Sequence, residues 1–429
     1  MNNSMLNQLS KLENLVFHNS RMIAFFCLLL SLSFIVIVPL FGDDLDLFAK
    51  ETFSLEWLKS RYSSWSSRVV IESILPYLSR HEFLLKTINC ILVLSAAIAI
   101  YILNQKNKLS SATCILIICI FPFYKVATAG YSATIINYLY PIIFSLWLLT
   151  YLFAIKASKF GYIPLIIMSI FVTNHEICAV MMLSISTAAL FLKNSDKLLA
   201  VILIISAILG LIFIILCPGN SLRLADETMT WMPEFANYSL TNKIELGIKS
   251  ALYFLNYKGP VPFVFCYTAI AFAFSKKLIP SLICAILITL IINFILKPYI
   301  NPAVINHDSN WIHNFPLSSL LVLFLMPISM ILLIFFSNIS TSDKVLLILL
   351  ISLAYALRSS MGFSPTVFAS SERPSLFSHM LLILCGLFAM LKSHVDKRKM
   401  IVIISLFSLY SSTNSFIKAI RLFKAHVIN

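Results

Sequence analysis

Charged residues are scarce in this sequence. Only 12% of its 429 residues are Asp, Glu, Lys or Arg, and 59% are hydrophobic, whereas soluble chains carry about 25% charged and about 45 to 50% apolar residues. An ordinary soluble domain is therefore excluded. The runs at 21–41, 84–103, 198–217 and 317–336 each hold roughly the 20 apolar residues that cross about 30 Å of hydrocarbon.

Motifs for nucleotides and metals are also missing. The chain has nine glycines, and neither a P-loop nor a dinucleotide-binding fingerprint. Its nine cysteines lie within or at the ends of apolar runs without metal-ligand spacing, so we expect inert thiols rather than disulfides or a zinc site. The net charge of +14 reflects lysines in short loops between apolar runs, which is typical of cytoplasmic membrane loops and not of a nucleic-acid-binding patch.

The apolar runs predict an all-α polytopic membrane protein, with one transmembrane domain over 1–429 and about 11–13 spans. The first run follows Lys11 and Arg21, as a signal peptide does, but it is long enough to span and lacks a small-residue cleavage site, so we expect it to stay as the first helix. The thirteen predicted spans are 22–41, 83–103, 111–127, 135–155, 161–173, 177–192, 198–217, 251–274, 279–296, 317–337, 345–357, 376–391 and 400–416.

Charge patterning orients these spans in the membrane. Frequent Ile, Lys and Asn with only nine Gly are typical of an AT-rich bacterial gene, so we expect the inner membrane of a bacterium. A cytoplasmic N-terminus makes every predicted inner loop basic, as the positive-inside rule requires. Long outer loops then cover 42–82, 218–250, 297–316 and 358–375, and the first of them reads as amphipathic helices on the membrane surface. The basic C-terminal tail falls outside, against the rule, which leaves the side of the C-terminus open.

A carboxylate cluster follows the first span, in the segment Gly42-Asp43-Asp44-Leu45-Asp46. Neighbouring carboxylates repel one another and need a metal ion, a cationic partner or a proton to offset them. A carboxylate just above the membrane could act as the general base on an acceptor hydroxyl, and a Mg²⁺ or Mn²⁺ ion at Asp43 and Asp44 stays open. The alternative is a solvated loop start with a helix-capping Asp.

Asn174-His175-Glu176 interrupts an apolar stretch of about 30 residues, enough for two short spans or a broken hairpin. Irregular backbone at membrane depth is tolerated only against protein or a water-filled cavity. We therefore expect Glu176 to line a cavity, where His175 and Glu176 could orient a substrate. The alternative is a tight polar turn at the surface.

Arginines follow or precede several outer span ends. Pro218-Gly219-Asn220 comes before Arg223, Arg358 ends a span, and Arg373 precedes the next one. Guanidiniums beside free backbone N–H groups suit a phosphate or pyrophosphate oxygen. Helix termination with a snorkelling arginine is the alternative for Arg223, and pairing with the adjacent Glu372 is the alternative for Arg373.

This set of motifs resembles bacterial multi-spanning proteins of the GT-C type, including serotype-converting O-antigen glucosyltransferase-like proteins and relatives without assigned activity. The family pattern more often has Ser-Gly-Arg where this chain has Ser-Ser-Arg at 66–68. The residues that carry the resemblance span nearly the whole chain: Gly42-Asp43-Asp44, Trp65-Ser66-Ser67-Arg68, Asn174-His175-Glu176, Pro218-Gly219-Asn220 with Arg223, and Glu372-Arg373-Pro374.

The resemblance implies a GT-C-like helix bundle in which an acidic residue of the first outer loop is the catalytic base and a polyprenyl-phosphate sugar is the donor. Asp43 or Asp44 would be that base, with Arg223, Arg358 and Arg373 on the donor phosphate. The substrate-orienting residues would be Arg68, His175, Glu176 and Asn220. The expected acceptor is a surface glycan or lipid-linked glycan, the sugar a hexose such as glucose, and the partners a bactoprenol glycosyltransferase and a small flippase.

Two other functions fit the same sequence. An O-antigen polymerase or ligase acting on lipid-pyrophosphate oligosaccharides would use cationic outer loops equally well. A flippase or transporter for a lipid-linked saccharide belongs to a different class, and it predicts charged side chains deep inside several spans. Few such residues are present beyond Lys125 and Glu176.

Overall fold

A computed structural model of the chain describes residues 3–107, 109–193, 195–296 and 317–428. Every regular element in these ranges is helical, and none of them contains a strand. In chain order the α-helices are α1 Asn3–His18, α2 Ser20–Ile37, α3 Leu55–Ser64, α4 Val69–Glu72, α5 Leu75–Arg80, α6 Glu82–Leu103, α7 Ser111–Cys119, α8 Tyr131–Thr134, α9 Tyr140–Phe153, α10 Tyr162–Thr173, α11 Glu176–Phe191, α12 Lys197–Ile215, α13 Pro218–Trp231, α14 Leu240–Leu252, α15 Pro260–Ser275, α16 Leu278–Leu296, α17 Leu317–Phe335, α18 Thr341–Ser359, α19 Ser375–Lys392 and α20 Lys397–Phe423.

Within the described ranges, seven helical segments are long and apolar enough to cross a membrane, which makes the chain a multi-pass membrane protein by length and composition. They are Ser20–Ile37, Glu82–Leu103, Tyr131–Phe153, Lys197–Ile215, Thr341–Phe363, Ser375–Lys392 and Lys397–His426. An eighth arises if the pair Leu240–Lys258 and Pro260–Ser275, bent by 83°, forms one span. Five further apolar helices are shorter, so a count of 11–13 requires that these cross as well.

All thirteen predicted spans overlap helices of the structure. The predicted loop 297–316 lies outside the described residues. Three longer helices of the described ranges were not predicted. Helix α1 precedes the first span, and α13 and α14 lie in the predicted loop 218–250, where α14 leads into the 83° bend before α15. The C-terminal basic residues continue α20, which runs for 27 residues without a break.

Small polar side chains join the terminal helices. The Oγ atoms of Ser31 on α2 and Ser412 on α20 lie 2.9 Å apart in a buried contact. On the same helix, Ser408 donates a hydrogen bond to the Leu116 carbonyl at 2.6 Å and Ser411 donates to the Phe121 carbonyl at 3.2 Å. Serine suits such contacts because it lets membrane helices approach closely and satisfies polar atoms away from water.

The irregular segments meet at one end of the bundle, which we call the loop face: residues 41–81, 122–134, 174–176, 217–239 and 359–374. Backbone and side-chain hydrogen bonds connect them, including Asp43 N–H to the Ala129 carbonyl at 3.1 Å and Val70 N–H to Asn174 Oδ1 at 3.0 Å. Helices α9 and α19 lie enclosed beneath this face, whereas α12 exposes one apolar side along most of its length.

Candidate functional site

Asp44 caps a helix from a fully buried position. Its Oδ2 accepts hydrogen bonds from the N–H groups of Tyr131 at 2.5 Å, Ser132 at 3.0 Å and Phe41 at 3.3 Å. Its Oδ1 accepts from the Ser132 hydroxyl at 2.7 Å and the Ala133 N–H at 2.8 Å. Since five donors occupy this carboxylate, it satisfies the N–H groups at the start of α8 and has little capacity left for a substrate proton.

Asp43 has the opposite surroundings. It is exposed at the loop face and follows Gly42, whose φ of 56° requires glycine and whose Cβ would stand 2.5 Å from the Ala129 carbonyl oxygen. Partial burial raises the pKa of the Asp43 carboxyl above its ordinary value, and the Arg373 guanidinium opposes that shift most strongly. Asp43 is therefore a reachable carboxylate with an increased affinity for a proton.

Asn174 fastens the first loop to the end of α10. Its Oδ1 accepts from the N–H groups of Val70 and Ile71 at 3.0 and 3.2 Å, and its Nδ2 donates to the Ser67 carbonyl at 3.0 Å. These bonds hold the start of α4 in place. They also set the position of Arg68, which lies between the bonded residues.

Arg68 and Glu176 form a two-point ion pair across the loop face. Arg68 Nε donates to Glu176 Oε2 at 2.9 Å, and its Nη2 donates to Oε1. The guanidinium carbon also lies 5.6 Å from the centre of the Tyr138 ring. Burial alone would lower the pKa of Arg68, but Glu176 and Tyr138 raise it above its ordinary value. The arginine is thus held charged and in a fixed orientation.

His175 lies fully buried behind this pair. Its Nδ1 accepts from the Ile177 N–H at 3.2 Å and caps α11, while its ring lies 5.2 Å from Tyr138 and 4.8 Å from Phe377 between centroids. Its Nε2 has no partner in the described part of the chain. The ring supports the Arg68–Glu176 pair from below and does not reach the surface.

Arg223 extends from α13 toward the same pair. Its Nε lies 3.9 Å from Glu227 Oε2, one turn further along the helix. Its positive charge also favours the ionised form of the Glu176 carboxyl. Asn220 has a connecting role, because its Nδ2 donates to the Ile214 carbonyl at 2.8 Å at the end of α12. Gly219 allows α13 to pass close to α3, where a Cβ would stand 2.3 Å from the Trp65 nitrogen.

Arg373 and Arg358, which were predicted to act on one phosphate, differ in their exposure. Arg373 is partly exposed, and its positive charge opposes the rise in the pKa of both Asp43 and Glu227. Arg358 is 0% exposed and donates through Nη2 to the Val367 carbonyl at 2.9 Å. The physical reason is that Arg358 belongs to the last turn of α18, which is covered by the segment 359–374.

The structure thus gathers Asp43, Arg68, Glu176, Arg223, Glu227 and Arg373 at the loop face, and we call these six residues the acid–arginine cluster. Partial burial raises the pKa of Glu227, and the charges of Arg223, Arg68 and Arg373 oppose the shift. Glu227 was not predicted, although its spacing of four from Arg223 is a usual pairing distance on a helix. Glu72, which accepts from Arg61 Nε at 2.9 Å, was missed as well.

The divalent cation left open at Asp43 and Asp44 would find few free oxygen ligands among the described residues. The Asp44 oxygens are occupied by hydrogen bonds, and the neighbouring Asp46 lies 3.9 Å from the Lys50 ammonium. Within the described ranges, no group of three or more His, Cys, Asp or Glu side chains could hold a metal ion. Hard cations such as Mg²⁺ need several oxygen ligands together.

An apolar groove of about 550 Å³ opens between α10 and α12 below the cluster. Its walls are mostly aliphatic, with Thr173, Asn174 and Ser206 among the lining residues. Gly210 lies so close to the Thr173 carbonyl oxygen that a Cβ would approach it to 2.5 Å. Val70 and Asn174 line its upper end, within two residues of Arg68 and Glu176. The groove therefore connects an apolar helix surface to the acid–arginine cluster.

Comparisons of this chain with models of protein families, with curated proteins and with solved structures find no match.

Proposed function

We propose that the chain is a GT-C-type glycosyltransferase that moves a sugar, such as glucose, from a polyprenyl-phosphate donor to a surface or lipid-linked glycan. The observation that carries this proposal is the acid–arginine cluster. A reachable carboxylate, Asp43, lies there within the electrostatic reach of Arg373, at the end of a bundle of membrane helices.

The reaction needs a base and a stabilised leaving group. Asp43 accepts the proton of an acceptor hydroxyl while the oxygen attacks the anomeric carbon of the sugar. The bond from that carbon to the phosphate oxygen breaks, and the polyprenyl phosphate leaves with an additional negative charge. Arg223 and Arg373 stabilise this charge where it develops, which is where fixed donors accelerate a reaction most.

Asp43 is the better base of the two neighbouring aspartates. A general base must reach the proton it accepts, and its efficiency increases as its pKa approaches the working pH. Asp43 is exposed and its pKa is raised, whereas Asp44 is buried under five hydrogen bonds. Arg68 is fixed by Glu176, so it orients the donor or acceptor rather than following the leaving phosphate.

The groove between α10 and α12 supports a lipid donor. An isoprenoid tail could enter it from the bilayer, because the walls are apolar and the groove is open on one side. A phosphate on that tail would then lie beneath Arg68 and Arg223. A lipid carrier also fits the expected orientation, with the N-terminus in the cytoplasm and the loop face outside a bacterial inner membrane, where nucleotide sugars are absent. A bactoprenol glycosyltransferase would attach the sugar to the lipid carrier, and a small flippase would move the sugar-linked lipid across the membrane.

The test is sugar transfer in membranes supplied with a labelled polyprenyl-phosphate hexose. Asp43→Asn should abolish transfer, and Asp46→Asn is the matched control because Asp46 is exposed and pairs only loosely with Lys50. Equal transfer by both variants would remove Asp43 from the base role. Glycan analysis of whole cells separates this function from a polymerase or ligase, since a transferase adds side-branch sugars and a polymerase changes chain length.

A further inference from the structure

A second basic site lies beneath the segment 359–374, and Arg358 is its centre. The guanidinium is fully buried, with its carbon 4.1 Å from the centre of the Phe254 ring. Only Nη2 makes hydrogen bonds, to the Val367 carbonyl at 2.9 Å and to the Ser371 carbonyl at 3.5 Å. In the part of the chain that the structure describes, Nε and Nη1 have no partner.

Unpartnered polar atoms continue from Arg358 along one side of α19. Ser375 and His379, one turn apart, are both 0% exposed. The Ser375 hydroxyl and both ring nitrogens of His379 lack hydrogen-bond partners among the described residues. The backbone also approaches this ring closely, since a Cβ at Gly259 would stand 2.4 Å from His379 Nε2. Buried polar atoms normally have partners, so such a concentration calls for an explanation.

The charges around this site do not cancel. Lys125 is 3% exposed, and its ammonium donates to the Lys258 carbonyl and approaches Glu372 Oε1 at 3.5 Å. Glu372, the carboxylate whose charge stabilises the Arg358 guanidinium, is therefore already paired with Lys125. Two buried cations share a single anion. An unpaired buried charge costs several kcal/mol, and a bound anion would offset that cost.

The backbone around the site is also irregular. The segment Tyr253–Lys258, which supplies Phe254, is π-helical and packs against α19. Such turns occur frequently at functional sites. Ser371, which accepts from Arg358, has a φ of 52°, an uncommon conformation for a residue with a side chain. The covering segment is thus held in a strained form directly above the unpartnered nitrogens.

We propose that Arg358, Ser375 and His379 form a binding site for a phosphate-class anion, separate from the acid–arginine cluster. The unpartnered Nε and Nη1 atoms of Arg358 supply N–H donors on two edges of the guanidinium, and the Ser375 hydroxyl and the His379 ring supply further donors. The segment 359–374 admits the anion and covers it. This site requires no sugar transfer, and its anion can come from a lipid headgroup or from free phosphate.

The experiment uses the full chain in nanodiscs, with the outer arginines removed by Arg223→Gln and Arg373→Gln. Binding of inorganic phosphate, pyrophosphate and farnesyl phosphate is followed by phosphorus NMR and calorimetry. This background should still bind at least one probe, and His379→Gln should weaken that binding at least tenfold. His81→Gln is the matched control, because His81 is exposed and lies far along the chain from this site.

Arg358→Lys gives a second test, since it keeps the charge but loses the Nε and Nη1 donors of the guanidinium, and it should also weaken binding. Thermal unfolding followed by tryptophan fluorescence identifies any variant that fails to fold. Binding of farnesyl phosphate alone supports a lipid headgroup as the source, and equal binding of inorganic phosphate supports a free anion. A background that binds none of the probes, or equal affinities for His379→Gln and His81→Gln, would overturn the proposal.

Discussion

Asp43→Asn and Asp44→Asn should have opposite effects, although the two residues are neighbours. Asp43→Asn should abolish sugar transfer and leave the fold intact. Asp44→Asn should destabilise the fold. The reason is that Asp43 lies free at the loop face, whereas Asp44 Oδ1 and Oδ2 together accept five hydrogen bonds, three of them from the backbone at the start of α8.

The loss of stability expected for Asp44→Asn follows from those five hydrogen bonds. An amide can keep one oxygen as an acceptor, so either the two donors on Oδ1 or the three on Oδ2 lose their partner. A buried donor left without a partner costs about 1 to 3 kcal/mol, and the bonds that remain lose the assistance of the negative charge. We expect a loss of about 2 to 5 kcal/mol in the free energy of unfolding.

The expected change in stability for Asp43→Asn has the opposite sign. Because the pKa of Asp43 is raised in the folded chain, its contribution to stability is present at low pH and is lost as pH rises through that pKa. At neutral pH the ionised carboxylate therefore disfavours the folded state. Asn cannot ionise, so Asp43→Asn should be as stable as the parent chain or slightly more stable at neutral pH.

Both properties can be measured on the same membranes. Sugar transfer is assayed at a temperature at which the Asp44→Asn chain remains folded, and thermal unfolding is followed in detergent by tryptophan fluorescence. If Asp44→Asn unfolds like the parent chain, the cap makes no net contribution to stability. If folded Asp44→Asn has lost transfer while Asp43→Asn retains it, the base is Asp44 and not Asp43.

Three further predictions concern neighbouring residues. Gly130→Ala should cost about 1 to 3 kcal/mol of stability, measured by thermal unfolding, because its Cβ would stand 2.7 Å from Asp44 Oδ1 and displace a buried acceptor. Arg68→Ala should lower the free energy of unfolding by about 2 to 4 kcal/mol, less than the loss of a fully buried pair, because Glu176 is 35% exposed. The double variant Arg68→Glu with Glu176→Arg should recover part of this loss. Arg373→Gln should move the acidic limb of the pH–rate profile to higher pH, because removing this positive charge raises the pKa of Asp43 further. A limb that stays at the same pH would show that Arg373 does not influence Asp43.

The sequence was sufficient to predict the apolar helices because an apolar run of about 20 residues has few alternatives in a membrane. All thirteen predicted spans overlap helices. Helix α14 was not predicted because its hydrophobic residues, such as Ile244 and Ile248, recur one turn apart among polar ones, as in a surface helix.

The motifs of the candidate site could be identified from the sequence, but their roles could not. Asp43 and Asp44 have the same chemistry and adjacent positions, and only the position of residues 131–133, almost 90 places further on, distinguishes a cap from a free carboxylate. Arg358 and Arg373 likewise appear equivalent until the segment 359–374 is seen to cover one and expose the other. Such distinctions depend on long-range contacts that no local pattern encodes.

Hydrogen-bond saturation offers a physical criterion for separating structural from chemical polar groups at this face. Asp44 and Asn174 have their side-chain polar atoms committed to named partners, and each fastens one segment of the loop face to another. Asp43 and Arg373 have few such commitments and remain accessible. A membrane protein bears the desolvation cost of polar groups wherever it needs them, so those groups whose hydrogen-bonding capacity the fold does not use are the ones free to act on a substrate.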